Sequence, residues 1–137
     1  MSYTQNGAAR YRAVNAQGLV ADASPAKLVQ IAFDNVLAHL AIAQGCMRRI
    51  QNDLPLADVI AKGNAIGKAV LLIGHLNERL DLERGGEVAA NLRLLYTYML
   101  ERLTVANAKN DADLVVEVAG LVREIKSGWD RLVAEGR

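Results

Sequence analysis

After residue 22, apolar residues recur at three- and four-residue spacing in four blocks, separated by short polar or proline-containing breaks. Side chains at that spacing share one face of a 3.6-residue helix, whereas a half-buried strand would need strict alternation. The first block opens at "ASPAKLVQIAFD", where Ser24 can cap orphan amides and Pro25 occupies the first helical position, where a missing N–H costs nothing. Val29, Phe33, Val36, Leu37, Leu40, Met47 and Ile50 carry this helix to about Asn52, and Pro55 bars its continuation. A second helix is expected from about Leu56 to Glu83, with Val59, Ile66, Val70, Ile73 and Leu80 along one face. Gly85 and Gly86 should end it, because the left-handed backbone at a helix C-terminus favours glycine. The third helix is expected over Glu87 to Asn107, with Val88, Leu92, Leu95, Met99, Leu103 and Ala106 facing inward. The fourth should run from Ala112 to Ala134, turning Leu114, Val115, Val118, Leu121, Val122, Ile125, Trp129 and Leu132 inward. Helices of similar length with short connections imply an all-α fold, an antiparallel up-and-down four-helix bundle over residues 23–137. Residues 1–22, small and polar, read as an N-terminal arm or a short extra helix.

Composition narrows the function. A formal net charge of +1 gives no clustered basic face for phosphates, so neither nucleic acid nor a membrane surface is expected as a partner. Cys46, the single cysteine, excludes a disulfide within the chain and fits a reducing compartment, so a cytoplasmic location is expected. The opening "MSYTQNGAARYRAV" lacks the apolar stretch of a signal peptide, and no eighteen apolar residues run uninterrupted.

Sites of chemistry are not legible. Bundle metal centres need Glu-x-x-His pairs, but "VLA" precedes His39 and "LIG" precedes His75. Cys46 lies near two arginines, yet local sequence ties no histidine to it, and a small-residue packing role is the simpler reading. "RGGE" has neither the lysine nor the hydroxyl of a phosphate loop, and Asp81 with Glu83 reads as a solvated helix end. No catalytic residue, metal or cofactor is therefore expected. "GNAIG" reads as tight helix packing, since each interior glycine costs on the order of 1 kcal/mol and close approach of another backbone is the usual compensation.

What remains is a surplus of apolar surface. On the second helix Ala65, Ala69, Leu72, Leu76 and Leu80 make a second strip beside the core strip. On the third, Leu94, Tyr98 and Val105 make another. Tyr96 and Tyr98, two positions apart, point about 200° apart on a helix and cannot both enter one seam. Helices two and three therefore read as offering a groove for an apolar helix or extended peptide. Leu72, Leu76, Leu80, Leu94 and Tyr98 are the candidate pocket residues, with Asn91 and the hydroxyls of Tyr96 and Tyr98 setting register. Permanent burial of the same surface in a structural homo-oligomer is the alternative.

"ASPAKLVQIAFD", "LDLERGGEVAANLRLLYTYMLERLTVAN" and the late Trp129 together resemble the FliS family of flagellin-specific secretion chaperones, a likeness extending from about Tyr11 to Leu132. Where the family pattern has a tyrosine before the aspartate of the first motif, this chain has Phe33, which keeps the ring and loses the hydroxyl. The resemblance implies a cytosolic bundle without catalytic activity that binds the disordered C-terminal segment of flagellin, keeps it unpolymerised and helps deliver it to the flagellar type III export apparatus. It further implies that the N-terminal arm, through Tyr11 and with Val14 beside it, covers the binding surface until the client displaces it. Export gate components and other flagellar regulators are further implied partners, and the free protein is expected as a monomer or weak homodimer.

Overall fold

In the computed structural model, which describes residues 24–50 and 55–136, the first helix begins as its capping signal requires. Ser24 Oγ accepts from Lys27 N at 3.2 Å and the Ser24 carbonyl accepts from Leu28 N at 3.0 Å. The described residues form four helices, α1 (Pro25–Ile50), α2 (Leu56–Glu78), α3 (Leu82–Lys109) and α4 (Ala112–Ala134). Tyr11, Val14 and the rest of the expected arm lie outside the described residues.

Each helix contributes one row to a common core. Phe33, Val36, Leu40 and Met47 of α1 meet Ala65, Ile66, Ala69 and Ile73 of α2. Tyr96, Met99, Leu103 and Ala106 of α3 and Val115, Val118, Ala119 and Val122 of α4 complete it. α1 packs on α2 and α4, and α3 packs on the same two, so the helices form a closed ring of neighbours. By length and composition α1 could also cross a membrane, but its buried row from Phe33 to Ile50 belongs to the bundle core.

Polar links at the helix ends set the antiparallel register. Arg49 near the end of α1 pairs with Asp58 in the first turn of α2 at 2.9 Å. Trp129 Nε1 in α4 donates to the Ala26 carbonyl at 2.9 Å, and Gln30 Nε2 donates to Asp130 at 2.6 Å. Lys126 bridges Asp130 at 2.6 Å and Asp34 at 3.5 Å along the same seam. At the other end, buried Lys62 donates to the Asn107 carbonyl at 2.9 Å, joining the start of α2 to the last turn of α3. Asn110 closes that helix in the left-handed conformation, φ 53°, which asparagine tolerates better than most residues. Asp111 then caps α4 by accepting from Asp113 N at 3.1 Å.

The diglycine does not end α2. That helix stops at Glu78, short of the expected Glu83, with the Arg79 amide donating to the His75 carbonyl at 3.2 Å and the Leu80 amide to that of Asn77 at 3.3 Å. Asp81 begins a new turn, its carboxylate accepting from Glu83 N at 3.2 Å and Arg84 N at 3.0 Å. Gly85 and Gly86 therefore sit inside α3 as a joint. A Cβ on Gly85 would stand 2.6 Å from Ala89 Cβ, and Gly86 adopts φ 53°, ψ −128°. The buried row of α3 begins at Ala89, which leaves Val88, expected inside, 70% exposed. The row of α2 begins at Lys62, so Val59 is likewise exposed rather than inward. Leu132, also expected inward, is exposed near the end of α4. Tight packing at Gly63, Gly67 and Gly74 is not found, since a Cβ at any of them meets nothing within 4 Å.

These positions separate by substitution. Gly85→Ala and Gly86→Ala should each lower stability by about 1–3 kcal/mol, through the clash with Ala89 and the positive φ respectively. Gly67→Ala, in open helix, should raise it by about 0.5–1 kcal/mol. Urea unfolding midpoints at constant m-value check both signs.

Candidate binding grooves

Apolar surface left over from the core opens at the end of the bundle where α1 starts. A cavity of about 560 Å³ lies between α1 and α2. Pro25, Leu28, Val29 and Ala32 form one wall, while Leu72 and Leu76, one turn apart on α2, form the other with His75 and Arg79 at its polar edge. A second cavity of about 330 Å³ lies between α1 and α4, lined by Trp129, Leu132 and Val133. Pro25 and Val29 belong to both, so the first turn of α1 is a shared wall. The indole N–H of Trp129 is held by the Ala26 carbonyl, which fixes the ring that lines the smaller cavity.

A different apolar face lies on the α3 and α4 side. Leu94 is 69% exposed, and Asn91 and Tyr98 lie three residues before it and four after it, on the same helix face. Tyr98 Oη donates to Glu117 of α4 at 2.6 Å, a bond that raises the phenol above its ordinary pKa. The Arg102 guanidinium lies over the Tyr98 ring, 5.3 Å from its centroid. Tyr96, turned the other way, is buried in the core, and burial pushes its phenol up to about 12.

The expected residues therefore do not share one groove on helices two and three. Leu72 and Leu76 open toward α1, Asn91, Leu94 and Tyr98 share a face toward α4, Tyr96 is internal, and Leu80 is half-buried against the core. Pro25, Leu28, Ala32 and Arg102 were missed. Leu28 sits one position from the core row at Val29, a displacement that periodicity alone does not mark as a groove. Arg102, four residues after Tyr98, was the legible signal for the ring contact.

Among the described residues no group of three or more His, Cys, Asp or Glu could hold a metal. Cys46 is buried and accepts a long bond from Arg49 Nη2 at 3.6 Å.

By class this is an all-helical bundle with apolar surface on two sides that its described residues leave uncovered. Its sequence matches the family model described as "Flagellar protein FliS" over residues 7–136. The chain belongs to the FliS family. It is 44% identical over 128 residues to the flagellar secretion chaperone FliSB of Pseudomonas aeruginosa, covering 93% of this chain and 96% of that protein. With the flagellar secretion chaperone FliS of Salmonella typhimurium it shares 39% identity over 131 residues, 95% and 92% of the two chains. The corresponding Bacillus subtilis chaperone is 31% identical over 121 residues, 88% of this chain and 84% of that one.

The raised pKa of Tyr96 sets an alkaline limit on the fold. Folding favours the protonated phenol, so this contribution is complete below pH 10 and is lost as pH rises toward about 12. Stability should fall by about 2 kcal/mol across that window, and the fall should be smaller in Tyr96→Phe. Urea midpoints at both ends of the window, for both proteins, provide the measurement.

Proposed function

We propose that this chain is a cytoplasmic export chaperone of the bacterial flagellum, binding the disordered C-terminal segment of flagellin, preventing premature polymerisation and assisting delivery to the type III export apparatus. Family membership supports the chaperone role in flagellar export, and the relatives carry that role in their names. The observation that carries the binding reading is the cavity of about 560 Å³ walled by Leu28, Val29, Leu72 and Leu76. A disordered client must be ordered on binding, at about 2 to 5 kcal/mol of the gross interaction, and only an extended apolar surface offsets that cost. Two apolar faces on opposite flanks of the bundle offer such a surface. The activity is non-enzymatic.

The segment before Ser24, through Tyr11 and Val14, competes for the same surface when no client is present. Its chain enters α1 at Pro25, which is itself a wall of both cavities, so the arm is tethered beside the groove. A tethered competitor reduces apparent affinity by the fraction of time it occupies the site. Delivery brings the loaded chaperone to export gate components, and other flagellar regulators compete for the same face.

Calorimetric titration of a flagellin C-terminal segment from the same source should give submicromolar one-to-one binding with a large negative heat-capacity change. Leu76→Asp should weaken it at least tenfold without loss of helix content, because Leu76 is a groove wall. Tyr11→Ala should tighten it. Absence of heat at every temperature from a folded sample would overturn this function. Sedimentation would then decide whether the apolar faces serve a homo-oligomer, in which Leu94→Asp breaks the assembly.

A further inference from the structure

We propose that Arg102 is the point at which an acidic side chain of the bound client lands, so that the α3 and α4 face recognises a carboxylate flanked by apolar residues. The inference rests on the chaperone reading above and adds the chemistry of one contact.

Arg102 differs from the other cations that hold the bundle. Arg49 is matched by Asp58, Lys126 by Asp34 and Asp130, and Lys62 by the Asn107 carbonyl. Arg102 has no carboxylate within ion-pair distance among the described residues, and its Nε is buried without an acceptor. The carboxylate nearest this cluster in the hydrogen-bond pattern, Glu117, is taken by the Tyr98 hydroxyl instead. Guanidinium position is nevertheless fixed, because the group stacks on the Tyr98 ring.

A planar cation held over an aromatic ring suits a carboxylate, which accepts two parallel N–H bonds from the guanidinium's terminal Nη1 and Nη2 pair, the buried Nε being out of a client's reach. Leu94, 69% exposed and two turns before Arg102 on α3, supplies apolar surface about 12 Å along the helix from the charge. The Tyr98 hydroxyl donates to Glu117, so that carboxylate is engaged by a donor other than Arg102. Charge complementarity thus selects a segment whose acidic residue lies within a few positions of a large apolar one.

The test is calorimetry of the full chain with the flagellin C-terminal segment at low and high salt. Arg102→Gln should weaken binding roughly five- to tenfold at low salt and flatten the salt dependence, with Arg102→Lys intermediate because it keeps charge without the fork. Replacing one particular Asp or Glu of the segment by its amide should weaken wild-type binding equally, and should have no further effect on Arg102→Gln. Unchanged affinity and salt slope in Arg102→Gln would overturn the proposal while leaving the chaperone reading intact. Failure of the wild-type chain to bind the segment at all would overturn both. Circular dichroism of the variant separates either result from misfolding.

Discussion

The bundle depends on one apolar seam to which each helix contributes a single row. Fully burying side chains such as Phe33, Leu40, Ile73, Met99 and Leu103 contributes about 1.5–3 kcal/mol each. An exposed ion pair such as Arg49 with Asp58 contributes about 0–1 kcal/mol. The seam therefore provides stability, and the polar links at the ends fix which turn of each helix meets which turn of its neighbour. Lys62 combines the two functions. Its buried ammonium satisfies a carbonyl in the last turn of α3, where intrahelical donors run out, and so ties that terminus to α2.

Committing one row per helix to the seam leaves flanking positions uncovered, and these make the grooves. Val29, Leu72, Leu76 and Trp129 are packed against the core on one side and open on the other. Core contacts already hold these side chains, so a ligand that covers them has less conformational freedom to remove. Pro25 and Leu28, in the first turn of α1, face Leu72 and Leu76 of α2 across the larger cavity.

Much of this fold was legible because its signal is periodic. Three- and four-residue spacing identified all four helices and most of the core row, and Ser24 with Pro25 marked the start of α1. The joint in α3 was not legible, because paired glycine after a charged turn has the composition of a helix C-cap. Asp81 was the competing signal, an N-cap four residues ahead of Gly85 that accepts from two amides. Geometry predicted that Tyr96 and Tyr98 must part, without deciding which goes inside. The row through Met99 and Leu103 decides it, since Tyr96 lies three residues before the first. Division of the candidate site between two flanks was hidden for a related reason. A helical wheel gives directions around one axis, but which neighbour stands in each direction depends on the tertiary arrangement.

That division bears on how a client is held under the proposed function. Leu72 and Leu76 face α1, whereas Leu94 and Tyr98 lie on the flank of α3 that reaches α4 through Glu117. In a ring of four antiparallel helices those flanks are separated by the body of the bundle, so one short helix cannot lie on both. A segment that engages both must pass around the bundle as an extended chain or as separate helical pieces. Each piece contributes modest affinity, but linkage through the client converts the second contact into an intramolecular one, multiplying affinity without requiring any single deep pocket. Release can then proceed one flank at a time, so no step has to break the whole apolar contact at once.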